Sequence, residues 1–173
     1  MKTLTDHLAQ YAAYHRDPRN LISHFIGIPM IVLAVAILLS RPGIDISVWL
    51  SPAALVALAA TLFYLRLDLR FALAMGGVLL ACVCLGAWLA QQSTAIWLGS
   101  GLTLFLLGWV IQFIGHFYEG RKPAFVDDLA GLIIGPLFIA AELGFMLHWR
   151  EPLRQAIEAR VGPVRLRQHP VDA

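Results

Sequence analysis

The chain has 173 residues, of which 59% are hydrophobic and only 14% charged, and its formal net charge is +2. That balance excludes a soluble globular domain of ordinary composition, and so small and dispersed a charge offers no basic face for nucleic acid. Two cysteines, Cys82 and Cys84, stand two apart in an apolar run and read as buried structural thiols, without zinc-site spacing.

The first twenty residues are polar and amphipathic and lack the short apolar core and cleavage site of a secretory signal, so no removable segment is expected. Thr3-Leu-Thr-Asp6 has the pattern of a capping box, and Leu4, His7, Leu8, Tyr11, Tyr14 and His15 recur at helical spacing. An amphipathic helix lying in a membrane interface is predicted over 3–16. Proline follows Asp17, and a residue before proline avoids the helical region. One helix therefore ends there, and another starts with Asp17 as its N-cap and Pro18 in its first turn. His15 lies just before this corner, while Asn20 and His24 stand four apart on one helix face just beyond it, so the two histidines can converge across the bend.

Five apolar runs follow, at 21–40, 48–65, 71–90, 95–117 and 129–147. Each approaches or exceeds the ~20 residues needed to cross a hydrocarbon core, and a spanning backbone must satisfy its own hydrogen bonds, so helices are expected. Gly27 and Pro29 permit a kink in the opening turns of the first run. A connection over 66–70 makes the second and third runs a hairpin, with Gly76, Gly77 and Gly86 available for close packing. Trp49, Trp88, Trp97 and Trp149 fall near run ends, as interfacial anchors do.

The fourth run ends in Gln112-Phe-Ile-Gly-His-Phe-Tyr-Glu-Gly-Arg-Lys-Pro-Ala124, which places His116 and Glu119 three apart on one face, followed at once by Arg121 and Lys122. Glu142, in the last run, is the sole formally charged residue in any of the five. If all five runs cross, Lys and Arg divide almost evenly between the two sides. If the last run enters, breaks at Gly135-Pro136 and returns, twelve of the thirteen fall on one side. The positive-inside rule then puts both termini in the cytoplasm. The expected architecture is an all-α polytopic membrane protein, a single domain over 1–173. It has four spanning helices, a re-entrant fifth segment, interfacial helices over 3–16 and 150–161, and a loose tail over 162–173. His15, His24, His116, Glu119, Arg121 and Lys122 then share the cytoplasmic face, with Glu142 returning toward it.

Neutral imidazoles with a carboxylate and a vacant position form the ligand set of many mononuclear non-haem iron sites that activate oxygen, and the same donors suit zinc or manganese. The plainer alternative is that these histidines sit in the headgroup region and that Glu119, Arg121 and Lys122 form a solvated loop. His7, His148 and His169 read as surface residues.

The run Tyr14-His-Arg-Asp-Pro-Arg-Asn-Leu-Ile-Ser-His24, with Gly27 and Pro29 after it, and the later run Gln112 to Ala124 together resemble the 2-hydroxy-fatty-acid dioxygenases of fungal phytosphingosine breakdown and their bacterial relatives. The similarity takes in Asp127 or Asp128, Pro136 and Glu142. It implies an Fe(2+)-dependent membrane enzyme of fatty acid α-oxidation. Such an enzyme uses a 2-hydroxy long-chain fatty acid and O2 amid membrane lipid, in a bacterial inner membrane or, in a eukaryote, the endoplasmic reticulum. By position it implies His15, His24, His116 and Glu119 as metal ligands, with Asn20 and Glu142 orienting histidines and Arg121 or Lys122 steering the substrate carboxylate. Loss of C1 as carbon dioxide, giving water and the acid one carbon shorter, accounts for the four-electron reduction of one oxygen molecule, so no further reductant is required. The competing reading is a small lipid or proton-coupled transporter using Glu142 and the histidines, which suits an intramembrane carboxylate but not candidate residues gathered at one face. A metal-free scaffold has no positive sign. A histidine-box desaturase is disfavoured because such sites cluster more histidines than the six present.

Overall fold

A computed structural model describes residues 2–41 and 50–166. Trp49, Arg167, His169, the start of the second apolar run, most of the connection before it and the end of the expected tail lie outside the described residues. Among those described the chain is helical with no strand: α1 (Leu4–Ala12), α2 (Pro18–Ser40), α3 (Pro52–Leu65), α4 (Leu69–Ala90), α5 (Thr94–Glu119), α6 (Gly131–Met146) and α7 (Glu151–Val161), with a 3-10 turn at Ala124–Val126. By length and apolarity α2, α4 and α5 can each cross a bilayer, and α6 with α7 would supply a fourth crossing only if that pair, bent by 115°, were one span. The 14 residues of α3 rise about 21 Å, less than the ~30 Å of a hydrocarbon core.

The expected break at Gly135-Pro136 is not where the chain turns. Helix α6 runs through both residues, because Pro136 lies in its second turn and the missing N–H leaves open a single carbonyl near the helix start. The turn comes instead at 147–150, where His148 and Arg150 take left-handed backbone angles, φ 58° and 63°. Trp149 closes the end of α6. Its N–H donates to the Gly144 carbonyl (2.9 Å), and its ring lies where a Cβ on Gly144 would come within 2.8 Å.

The described chain divides into two compact units. The first comprises the residues up to Ile28 and those from Val110 onward. The capping box forms as the pattern requires, Asp6 N–H donating to the Thr3 hydroxyl and Thr3 N–H to the Asp6 carboxylate. Leu4, Leu8, Tyr11 and Ala12 follow at helical spacing and are buried. That stripe lets α1 pack on α6 and α7, whose Ile134, Leu137, Phe138, Leu153 and Ile157 are buried in turn; the Tyr11 and Phe138 rings lie 5.0 Å apart. Each such side chain stabilises the unit by about 1.5–3 kcal/mol on leaving water. The Arg160–Asp6 (2.7 Å) and Lys2–Asp128 (3.3 Å) pairs at its margin are exposed, and solvent screening leaves them little to add.

The second unit spans Pro29–Trp109. Asp68 caps α4 through its carboxylate, and α3 packs along α4 as the expected hairpin. Gly86 of α4 faces α2 so closely that a Cβ there would stand 2.7 Å from Ser40 Oγ and 2.8 Å from the Ala36 carbonyl oxygen. Gly76 sits against Thr61 in the same way but less tightly, whereas Gly77 faces open space and has no packing role. Trp88 is exposed near the end of α4, as an anchor should be. Trp97 instead donates its indole N–H to the Ile37 carbonyl (2.7 Å) beneath the Arg41 guanidinium. Cys84 is exposed, contrary to expectation, along with Leu62, Leu73 and Leu106. Such apolar surface, unfavourable in water, suits contact with lipid chains.

Gly86→Ala should therefore destabilise the protein by about 1–3 kcal/mol through overpacking. Gly77→Ala should be neutral or stabilising by up to about 1 kcal/mol through helix propensity. Thermal unfolding in detergent measures both.

Candidate metal centre

Asp17 is the N-cap that the sequence suggests. Its carbonyl accepts from Leu21 N–H (3.1 Å) and its carboxylate from Arg19 N–H (2.9 Å). The fully buried carboxylate also takes both arms of the Arg19 side chain, at 3.0 and 2.8 Å, and that guanidinium covers the Tyr118 ring. The N–H groups of Arg16 and Asp17, ahead of the helix, have no intrahelical acceptor. Both donate to Glu119 Oε2, at 2.9 and 2.8 Å, and Asn20 Nδ2 adds a third bond to the same oxygen at 3.1 Å. A carboxylate at the C-terminal end of a helix such as α5 meets the negative end of the helix dipole, and these donors offset that. Asn20 spends its second amide hydrogen on the Tyr14 carbonyl, 3.1 Å away.

This corner carries the three histidines together. His15 Nδ1 lies 2.7 Å from the Tyr11 carbonyl oxygen and His24 Nδ1 2.9 Å from that of Asn20. A carbonyl can only accept, so each Nδ1 carries the hydrogen and each Nε2 presents a lone pair. The two Nε2 atoms face each other at 3.1 Å. His116 approaches edge-on, its ring 5.0 Å from that of His15 and 4.9 Å from that of His24. Its Nδ1 is buried without a hydrogen-bond partner, and one nitrogen from each of the three rings falls within 4.8 Å of the others. Tyr11 stacks almost coplanar on His15 at 4.1 Å and fixes the plane of that ring. Burial first, and the neighbouring His24 after it, holds His15 well below the usual histidine range, so its imidazole is neutral.

Two lone pairs aimed at each other across 3.1 Å repel unless a cation shares them, and neutral buried imidazoles are what a transition metal requires. Imidazole nitrogens bound at ~2.1 Å and roughly at right angles stand about 3 Å apart. The 3.1 Å between the His15 and His24 nitrogens fits two ligands of one divalent ion, and His116 stands close enough to be the third donor after a small approach of its ring.

The other expected residues have these partners. Glu119, implied as a fourth ligand, commits Oε2 to three donors of the corner. Glu142 does not reach the histidines; it pairs with Arg16 (3.1 Å). Arg16, itself buried, donates to the carbonyls of Ala12 and His15 (3.0 Å each) and of Gly162 (3.2 Å), so Arg16 links Glu142 to the backbone of His15. Arg121 is exposed and donates to the Ala13 carbonyl (2.9 Å), and Lys122 pairs with Asp127. His7 lines a small pocket between α1 and α6, and His148 is exposed beside Glu151. Sequence reasoning passed over Tyr11 and Arg16. The signal for Arg16 was Glu142 itself, since a carboxylate in an apolar run needs a cationic partner.

A family model described as "2-hydroxy-palmitic acid dioxygenase Mpo1-like" matches residues 1–147. A Saccharomyces cerevisiae protein named 2-hydroxy-palmitic acid dioxygenase MPO1 is 32% identical over 171 residues, covering 95% of each chain. No solved structure matches the chain.

If Glu119 is chiefly the clamp of this corner, Glu119→Ala should destabilise the protein by at least about 3 kcal/mol, because two buried N–H groups lose a charged acceptor. Glu119→Gln, which keeps an acceptor oxygen, should recover about half of that. Thermal unfolding of the metal-depleted protein measures both.

Proposed function

The chain belongs to the 2-hydroxy-palmitic acid dioxygenase Mpo1-like family, and from that premise we propose that it is an iron(II)-dependent dioxygenase removing C1 from 2-hydroxy long-chain fatty acids at the cytoplasmic face of a membrane. The observation that carries this reading is the buried trio His15, His24 and His116 with its opposed Nε2 atoms. Ferrous iron held there would supply oxygen activation and a place for the carboxylate and hydroxyl oxygens of the substrate to chelate. The overall change converts the 2-hydroxy acid and O2 into the acid one carbon shorter, carbon dioxide and water, which balances without a further reductant.

The remaining groups have roles that need no metal to state. The Tyr11 and Asn20 carbonyls hold the tautomers that aim Nε2 inward, and Tyr11 holds the His15 ring in plane. Glu119 fastens α5 to the corner through Oε2, and Asn20 serves the same joint; the ligand role that the family resemblance implies falls to its other oxygen. Glu142 fixes Arg16, which holds the His15 carbonyl. Arg121 and Lys122, at the outer edge of the corner, would draw the anionic acid toward it.

An apolar groove lies along the first turns of α2 and the far end of α6. Leu21, Ile22, Phe25, Leu143 and Met146 line it beside Glu142, and its volume is about 520 Å³, within the ~300–1,000 Å³ range of small-molecule sites. Leu21 and Phe25 flank His24 in sequence, so this groove is the natural bed for the acyl tail. A proton-coupled transporter would need a carboxylate free to exchange protons, whereas Glu142 is engaged by Arg16.

For topology, a last segment that returns to the side it starts from puts twelve of the thirteen Lys and Arg on one side, and the positive-inside rule then favours both termini in the cytoplasm, with a bacterial inner membrane as the setting. After Cys82 and Cys84 are replaced, single cysteines at positions 2 and 150 should react with an impermeant thiol reagent from the same side. Labelling from opposite sides would remove the re-entrant topology.

Purified protein supplied with ferrous iron, oxygen and 2-hydroxypalmitate should release the odd-chain acid and carbon dioxide. His15→Ala, His24→Ala and His116→Ala should each lose bound iron and at least 100-fold in rate. Wild-type protein that binds no metal under these conditions would defeat the proposal.

A further inference from the structure

A second chemical centre lies outside the histidine trio. The end of α1, the segment after α5 and the end of α7 with the residues beyond it form an open cavity of about 750 Å³. Among the described residues, four that line it are arginines, Arg16, Arg121, Arg160 and Arg165, accompanied by the apolar Val161 and Leu166, and no carboxylate lines it. Two of the cations are compensated, Arg16 by Glu142 (3.1 Å) and Arg160 by Asp6 (2.7 Å). The Arg121 guanidinium bonds to the uncharged Ala13 carbonyl, and the bond recorded for Arg165 runs from its backbone N–H to the Arg16 carbonyl (2.9 Å). Neither of these two guanidinium groups has a carboxylate partner among the described residues.

The wall of the cavity is built, not loosely draped. The Arg165 N–H pins the segment after α7 onto Arg16, and Arg16 Nη1 donates to the Gly162 carbonyl (3.2 Å), which lies where the backbone leaves α7 at φ +82°, a conformation that glycine adopts freely. These bonds fix Arg165 beside Arg16, and with Arg121 they leave two guanidinium groups without a carboxylate on one space, an arrangement that an anion relieves. Guanidinium forks match phosphate oxygens bidentately. The space is much larger than one phosphate ion, its apolar residues suit the glycerol and upper chain of a lipid, and basic pockets at the ends of membrane helices are where acidic head groups are taken up.

We propose that this cavity binds a phosphate group, supplied by the head group of an acidic membrane phospholipid. The cavity shares Arg16 and Arg121 with the surroundings of the histidine trio but needs neither a metal nor turnover, so lipid binding measured without substrate can fail or hold whatever becomes of the dioxygenase reading.

The test uses the full-length protein in neutral detergent, titrated in turn with phosphatidylglycerol, phosphatidylcholine and inorganic phosphate, with thermal unfolding and native mass spectrometry as readouts. Phosphatidylglycerol should raise Tm saturably by several degrees and add as a discrete bound lipid, and both effects should weaken as salt rises. The double variant Arg121→Ala/Arg165→Ala should bind it at least tenfold more weakly. Both residues are exposed; the variant gives up the Arg121 bond to the Ala13 carbonyl, and its Tm without lipid, expected within a few degrees of wild type, checks that the fold is kept. The variant Arg66→Ala/Arg70→Ala, which removes the same charge from the α3–α4 connection, should bind as wild type does. Saturable binding of inorganic phosphate with equal affinity, lost in the same double variant, would keep the phosphate site but overturn the lipid as its source. Phosphatidylcholine binding equally well, or the Arg121/Arg165 variant binding phosphatidylglycerol as wild type does, would overturn the proposal.

Discussion

One carboxylate oxygen holds the histidine centre together. Glu119 Oε2 gathers two backbone N–H groups and an amide from the corner between α1 and α2, and Glu119 stands one helical turn beyond His116. Fixing that oxygen fixes the distance between His116 on α5 and the two histidines of the corner. Ninety-two residues separate His24 from His116 in the chain, so the entropy of bringing them together is recovered through this joint and the burial around it. Gly115 completes the fit: a Cβ there would stand 1.9 Å from Ser23 Oγ and 2.6 Å from Asn20 Oδ1, so α5 and α2 meet at this height only across a glycine.

Arg16 connects this joint to its surroundings. Its amide goes to Glu119, its side chain to Glu142 and its carbonyl to the N–H of Arg165. The same residue thus touches the clamp behind the histidines, the carboxylate of α6 and the wall of the cationic cavity. A buried guanidinium with so many partners organises three parts of the chain at once, and its planar set of five donors allows this where a lysine would not.

Much of this was legible in the sequence, for reasons that can be named. The capping box at Thr3, the N-cap at Asp17 and the hairpin over 66–70 are local, and local chemistry decided them. The convergence of His15 and His24 was legible from the proline corner between them, whereas the addition of His116 from α5 was implied only by the resemblance of the two motifs to a known family. The roles of Glu119 and Glu142 were less accessible. Both residues stood out as carboxylates near the site, but their partners are a backbone amide pair and an arginine about a hundred residues or more away, which spacing along one helix does not reveal. Gly135-Pro136 misled because proline breaks a helix by what its ring and missing N–H do to the preceding turn, and near a helix start little is lost. Trp97 and Trp149 sit at run ends as anchors do, yet the indole N–H of one and the backbone N–H of the other found carbonyls within the protein.

The opposed Nε2 atoms of His15 and His24 have a further consequence. Three neutral imidazoles make a borderline, strongly binding set whose intrinsic preference rises from iron(II) through cobalt and nickel to copper, with zinc also ahead of iron. Selection of iron then belongs to the cell's supply of ions and not to the trio itself. On the proposed reading, an ion recovered with the isolated protein would track the growth medium, and the trio, as a borderline nitrogen set, would hold zinc in an inert protein as readily as iron.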